Sequence, residues 1–179
     1  MKVDYAIIPE CYVDTNLVET ITGSFNRFNH QKSCNEVSKA MQSPKLIDAF
    51  ALGIIDKDKK AIRYLEGFES VGNLEDLFLF KHPQKHHYII QIFPAIEKFI
   101  LKSAKEIGID LGDFGLPNEF EELKRITKRN TSRNNPALRK LFIEMKHKNS
   151  SQIITLAKWI SYLKTNTYNS NIAELINNH

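Results

Sequence analysis

Phe50-Ala51-Leu52-Gly53-Ile54-Ile55-Asp56-Lys57-Asp58-Lys59-Lys60 is an unbroken apolar run of strand length that breaks at once into alternating acids and lysines. A run without polar alternation marks a strand covered on both faces, the habit of a parallel sheet flanked by helices. The D-x-D spacing puts the Asp56 and Asp58 side chains on one side of an extended segment, where they can share a hard cation. Alone, the same pattern also describes a solvated turn.

A second apolar run, Asp4 to Ile8, stops at Pro9 and leads to Glu10 and Asp14. Proline cannot donate to a strand ladder, so the strand is expected to end there. Asp14 or Thr15 can cap a following helix that carries Leu17, Val18 and Ile21 and stops at Gly23. If the two strands lie parallel, Glu10 and Asp56 meet at the carboxyl edge of the sheet, where open α/β sheets bind their ligands. Three acids without a Cys or His partner suit Mg²⁺ (or Mn²⁺) better than zinc.

Further strands are expected at Ala61 to Phe68, Leu77 to Phe80 and Tyr88 to Phe93. A second helix is expected at Ser33 to Met41, and another opens after Pro94 with Ile96, Phe99, Ile100 and Ala104 on one face. Past the Gly-rich turn around Leu111 to Pro117 the pattern is helical only, near Asn118 to Lys128, Asn135 to Lys146, Ser150 to Leu163 and Ser170 to Asn177. The expected division is an α/β domain over 1–112 and a helical extension over 113–179.

The chain has 179 residues, a net charge of +4 and two cysteines, Cys11 and Cys34, without CxxC spacing, so neither a disulfide framework nor a zinc ribbon is expected. No apolar run is long enough to span a bilayer, and Asp4 and Glu10 interrupt the N-terminal apolar stretch, which reads as a cytoplasmic protein without a membrane partner. Between Lys124 and Lys148 nine Lys and Arg residues face one acid, Glu144. Lys128, Arg129 and Arg133 flank an Asn- and Ser-rich interruption, and with Lys59 and Lys60 they are candidate contacts to DNA or RNA, set against the solvated face that charge runs usually form. His86-His87 is no metal pair, since neighbours on a strand point to opposite faces. Phe93 is counted with the core aromatics, and no GxxxxGK[ST] or GxGxxG motif occurs.

Ala6-Ile7-Ile8-Pro9-Glu10-Cys11-Tyr12-Val13-Asp14 resembles the hhhhEGxxD opening of Toprim domains, and Leu52-Gly53-Ile54-Ile55-Asp56-Lys57-Asp58 resembles their hhhhDxD motif. Ile90 to Ile100 is similar to the later strand and xxIExfl segment of small Toprim proteins related to OLD-type nucleases and their phage-defence relatives. The resemblance spans roughly the first hundred residues. It implies a three-layer Toprim-like core with a mostly parallel four-stranded sheet, followed by the C-terminal helices. It also implies a Mg²⁺-dependent nuclease or related phosphodiester-transfer protein, with Glu10 as general acid/base or metal-linked base and Asp56 and Asp58 as metal ligands. Glu97 is either a further ligand or a favourable charge at a helix N-terminus. Cys11 stands where the family has glycine, which favours the alternative: an inactive module binding nucleic acid, or a partner protein through its helical half.

Overall fold

The computed structural model describes residues 3–25, 27–57 and 63–177. The first apolar run forms a short strand, β1 (Ile7–Pro9), followed by helix α1 (Tyr12–Thr22). The α1 N-cap is Cys11, three residues before the expected Asp14 and four before Thr15: its Sγ accepts from the Asp14 N–H and the Asp14 carboxylate accepts from the Cys11 N–H, a capping box with sulfur in place of a hydroxyl. Gly23 ends the helix at φ 66°, the left-handed conformation that favours glycine.

Helix α2 (Cys34–Met41), capped by Ser33, leads to β2 (Ala51–Asp56). A hairpin of β3 (Glu69–Leu74) and β4 (Leu77–Lys81) precedes β5 (His87–Ile92) and α3 (Ile96–Glu106). The helical half then contributes α4 (Phe120–Thr127), α5 (Pro136–His147), α6 (Ser151–Asn166) and α7 (Ile172–Asn177). Among the described residues no helix is long and apolar enough to cross a membrane.

The protein is an α/β fold whose sheet runs β1-β2-β5-β4-β3. β1 pairs with β2 and β2 with β5 in parallel, whereas β5-β4 and β4-β3 are antiparallel. The expected mostly parallel four-stranded sheet is thus corrected to a mixed sheet of five. Of the strand expected at Ala61 to Phe68, Ala61 and Ile62 lie outside the described residues, and no strand covers Arg63 to Phe68: 65–67 form a 3₁₀ turn, and extended pairing begins at Glu69.

Period-two alternation sorts the central strands between two cores. Ile7, Leu52, Ile54, Tyr88, Ile90 and Ile92 face the larger core with α1, α3, α5 and α6, while Ile8, Ala51, Ile55 and Ile89 face a smaller one with Val37 and Met41 of α2. Gly53 allows that close approach, because a Cβ there would lie 2.6 Å from Ile89 Cδ1 and 2.9 Å from Val37 Cγ1. The larger core runs continuously from Ile7 to Leu175, so the boundary expected at 112–113 falls inside it. Polar bonds cross the same boundary: buried Asn16 of α1 donates through Nδ2 to the carbonyls of Ser132 (2.8 Å) and Asn135 (3.2 Å).

Residues 27–31 run along the outer side of β1. The N–H groups of Asn29 and Gln31 donate to the Ile7 and Pro9 carbonyls, and Asp4 N–H donates to the Arg27 carbonyl. This irregular ribbon occupies the free hydrogen-bonding side of β1 and carries His30 and Lys32 toward the carboxyl end of the sheet.

Candidate functional site

The register Ile7↔Leu52, Ile8↔Gly53, Pro9↔Ile54 brings the ends of β1 and β2 side by side. Glu10 N–H continues the ladder to the Ile54 carbonyl (2.9 Å), and Glu10 Oε2 accepts from the Asp56 N–H at 3.1 Å. Two acids 46 positions apart in sequence are therefore neighbours. Asp58, Lys59 and Lys60 lie outside the described residues.

Asp14 is 1 % exposed beneath this pair. Burial, then repulsion from Asp14 and Glu10, pushes Asp56 up from 3.8 to about 9 against the opposing hydrogen bond from the Ile96 backbone. Burial also raises Asp14 to about 6, with the Cys11 hydrogen bonds acting the other way. The Cys11 thiol is raised by burial and by Asp14, so it stays protonated. One oxygen each of Asp14 and Asp56 is shielded and without a hydrogen-bond partner. Concentrated carboxylates with orphaned oxygens and raised pKa values constitute a site that favours a bound cation or bound protons.

The acids open onto a pocket of about 550 Å³ lined by Glu10, Asp56, Glu97 and His30, with Lys32, Lys57, Lys124 and Lys128 around it. Acids backed by a cationic lining match a metal-bridged phosphate better than a free cation, because the lysines compensate the phosphate charge that the carboxylates alone would repel.

His30 stacks on Tyr12 with ring centroids 4.2 Å apart. Thr15 Oγ1 donates its single hydrogen to the Cys11 carbonyl (2.7 Å), so at its 3.0 Å contact with His30 Nδ1 it must accept. His30 is thereby the Nδ1–H tautomer, and its Nε2 lone pair has no partner. Burial, then the nearby Arg133 charge, lowers its pKa and keeps it neutral.

Other predicted residues are placed differently. Glu97, 6 % exposed, lines the pocket on the first turn of α3, but its Oε1 accepts a 2.6 Å bond from Thr127 Oγ1, which fastens α4 to the sheet edge. Arg133 is not a free phosphate contact: it pairs with fully buried Glu19 at 3.1 Å, and Glu19 also accepts from the N–H groups of Arg27 and Phe28. Lys128 is exposed and lines the pocket, while Arg129 is exposed and does not. Phe93 is 38 % exposed and belongs to neither core. Sequence reasoning missed His30, Lys32 and Lys57. The first two arrive on a ribbon without strand-like alternation, and Lys57 reads as a spacer between two aspartates.

Among the described residues no group of three or more His, Cys, Asp and Glu side chains is arranged to hold a metal ion. Glu10 and Asp56 nonetheless supply what Mg²⁺ ordinarily takes from a protein, one or two carboxylates, with waters and substrate phosphate completing its shell. Compared with known protein families, curated proteins and solved structures, the chain matches none.

Proposed function

We propose that the protein is a Mg²⁺-dependent nuclease, or a related phosphodiester-transfer protein, built on a Toprim-like arrangement and serving in phage defence. The observation that supports this reading is the parallel β1/β2 register, which sets Glu10 against Asp56 at the mouth of a lysine-lined pocket. Glu10 and Asp56 would hold the ion, with the orphaned Asp56 oxygen as the free donor. When bound, the ion supplies charge neutralisation at a phosphoryl oxygen and acidifies a water. Lys32, Lys57, Lys124 and Lys128 draw the phosphate backbone in and orient it. A carboxylate beside the reacting phosphate takes or returns the proton, which Glu10 does best, since Asp14 lies beneath the surface.

Purified protein and its Asp56→Asn variant should be assayed for cleavage of single- and double-stranded DNA and RNA with Mg²⁺, Mn²⁺ or EDTA. The reading expects divalent-dependent cleavage by the wild type and roughly a hundredfold loss or more in the variant, since even the outer-shell partners of metal ligands are worth about 10- to 100-fold. Equal rates in the two proteins overturn it. A wild type that cleaves nothing and gives no calorimetric heat with Mn²⁺ also overturns it, in favour of a binding module that keeps the fold alone.

A further inference from the structure

Phe93 is a large aromatic side chain held at the surface beside the pocket. It follows β5 directly, and its N–H donates to the Asp76 carbonyl at 2.8 Å, so the backbone beneath the ring is fixed. Asp56 pairs in register with Ile92, and Lys57 N–H donates to the Ile92 carbonyl at 2.9 Å. That register and that bond put Phe93 one residue beyond the partner of the acidic strand end. Lys57 and Pro94, on either side of it, both line the pocket. The edge of the ring is braced by Phe78, with centroids 6.4 Å apart and planes at 83°, while Lys57 Nζ sits 4.8 Å over the ring face.

We infer that this ring is a stacking platform for one unpaired nucleotide whose phosphate occupies the adjoining pocket, and that the protein therefore selects single-stranded DNA or RNA over duplex. The inference rests on the phosphate-binding reading of the pocket given above and extends it to the substrate's secondary structure. Lys57 is the movable part. Its ammonium rests on the quadrupole of Phe93, and a phosphate in the pocket offers the same ammonium a full negative charge. Once Lys57 turns to the phosphate, the vacated face is flat, apolar and one short step from the phosphate, which suits a nucleobase. Bases inside a duplex already have both faces covered by their neighbours, so only an unpaired or terminal base can use the ring. Stacking of this kind tolerates any base, because each has a π face.

The test is equilibrium binding by fluorescence anisotropy with short fluorescein-labelled single strands of DNA and of RNA and with the matching DNA duplex, Ca²⁺ replacing Mg²⁺ so that no cleavage is needed. Wild type should bind one or both single strands more tightly than the duplex. Phe93→Ala should weaken single-strand binding by roughly 5- to 150-fold, the range for losing one base stack, and leave duplex binding unchanged. Phe93→Tyr should bind like wild type, and Lys57→Gln should flatten the salt dependence. Phe93 lies outside both cores, so the variants retain the fold. Single-strand affinity in Phe93→Ala within twofold of wild type, equal losses for strand and duplex, or no binding of any strand by wild type overturns the inference. Failure of the nuclease reading alone looks different: intact Phe93-dependent single-strand binding without cleavage in Mg²⁺.

Discussion

Replacing Asp56 with asparagine should stabilise the metal-free protein, and by an amount that grows with pH. Asp56 titrates at about 9 in the folded chain against 3.8 as an ordinary carboxyl. Because the folded value lies above the unfolded one, the fold binds the extra proton between those limits, and stability declines as pH rises from about 4 toward 9. At pH 7 the protonated side chain forfeits the ionisation that the unfolded chain enjoys over 7 − 3.8 = 3.2 pH units, which at about 1.4 kcal/mol each is about 4 kcal/mol. Asparagine keeps the shape and the backbone N–H to Glu10 Oε2 but has nothing to ionise in either state. The variant should therefore exceed wild type in melting temperature by roughly 8–16 °C near pH 7 in EDTA and match it near pH 4. Paired thermal melts across this range are the assay, and saturating Mg²⁺ should narrow the gap by stabilising only the wild type. Curves separated by the same interval at every pH, or not separated at all, would refute the reasoning that Asp56 is buried among like charges.

Gly53→Val should lose about 1–3 kcal/mol in urea denaturation, since its Cβ would sit 2.6 Å from Ile89 Cδ1 between packed layers. Arg133→Met should cost about 3 kcal/mol, near the low end for breaking a buried pair because a quarter of the Arg133 side chain, 25 %, is exposed. Adding Glu19→Gln should recover part of that loss, and a double variant as unstable as the sum of the singles would argue against the pair. Nitrogen-15 NMR should find His30 neutral at pH 7 with its proton on Nδ1. An Nε2–H or imidazolium pattern would contradict the Thr15 and Cys11 bonding. The His30 pKa is depressed, so its contribution to stability is present above the ordinary imidazole range and is lost as pH falls through that range.

The decisive pair of strands could be read from the chain because each is a short apolar run stopped by an acid, and a doubly covered strand has few other sequence patterns available to it. The helices were equally readable from 3.6-residue periodicity, with Gly23 and Ser33 at boundaries in the first half and Pro136 at one in the second. The β3/β4 hairpin was not, because its turn at Glu75 and Asp76 places Glu75 at φ 46° without the Asn-Gly or Asp-Gly chemistry that announces such a turn. Nor did charge reveal burial: Arg133 sits in the most basic stretch of the chain, yet its partner Glu19 is 114 positions away on the opposite half. Of the acids, Glu10 and Asp56 could be paired by topology, whereas the engagement of Glu97 by Thr127 depends on how α4 docks.

The ribbon at 27–31 also bears on colloidal behaviour. Without it, β1 would offer three residues of bare backbone to any strand-forming segment in solution, the kind of invitation that leads to sheet-to-sheet growth and fibrils. At the other margin the pairing slips between Ser70 and Gly72, and Ile176 of α7 sits over Gly72, spoiling a straight template there. Both flanks of the sheet are thus blunted by irregular chain, so neither presents the straight run of open backbone on which a second sheet could grow.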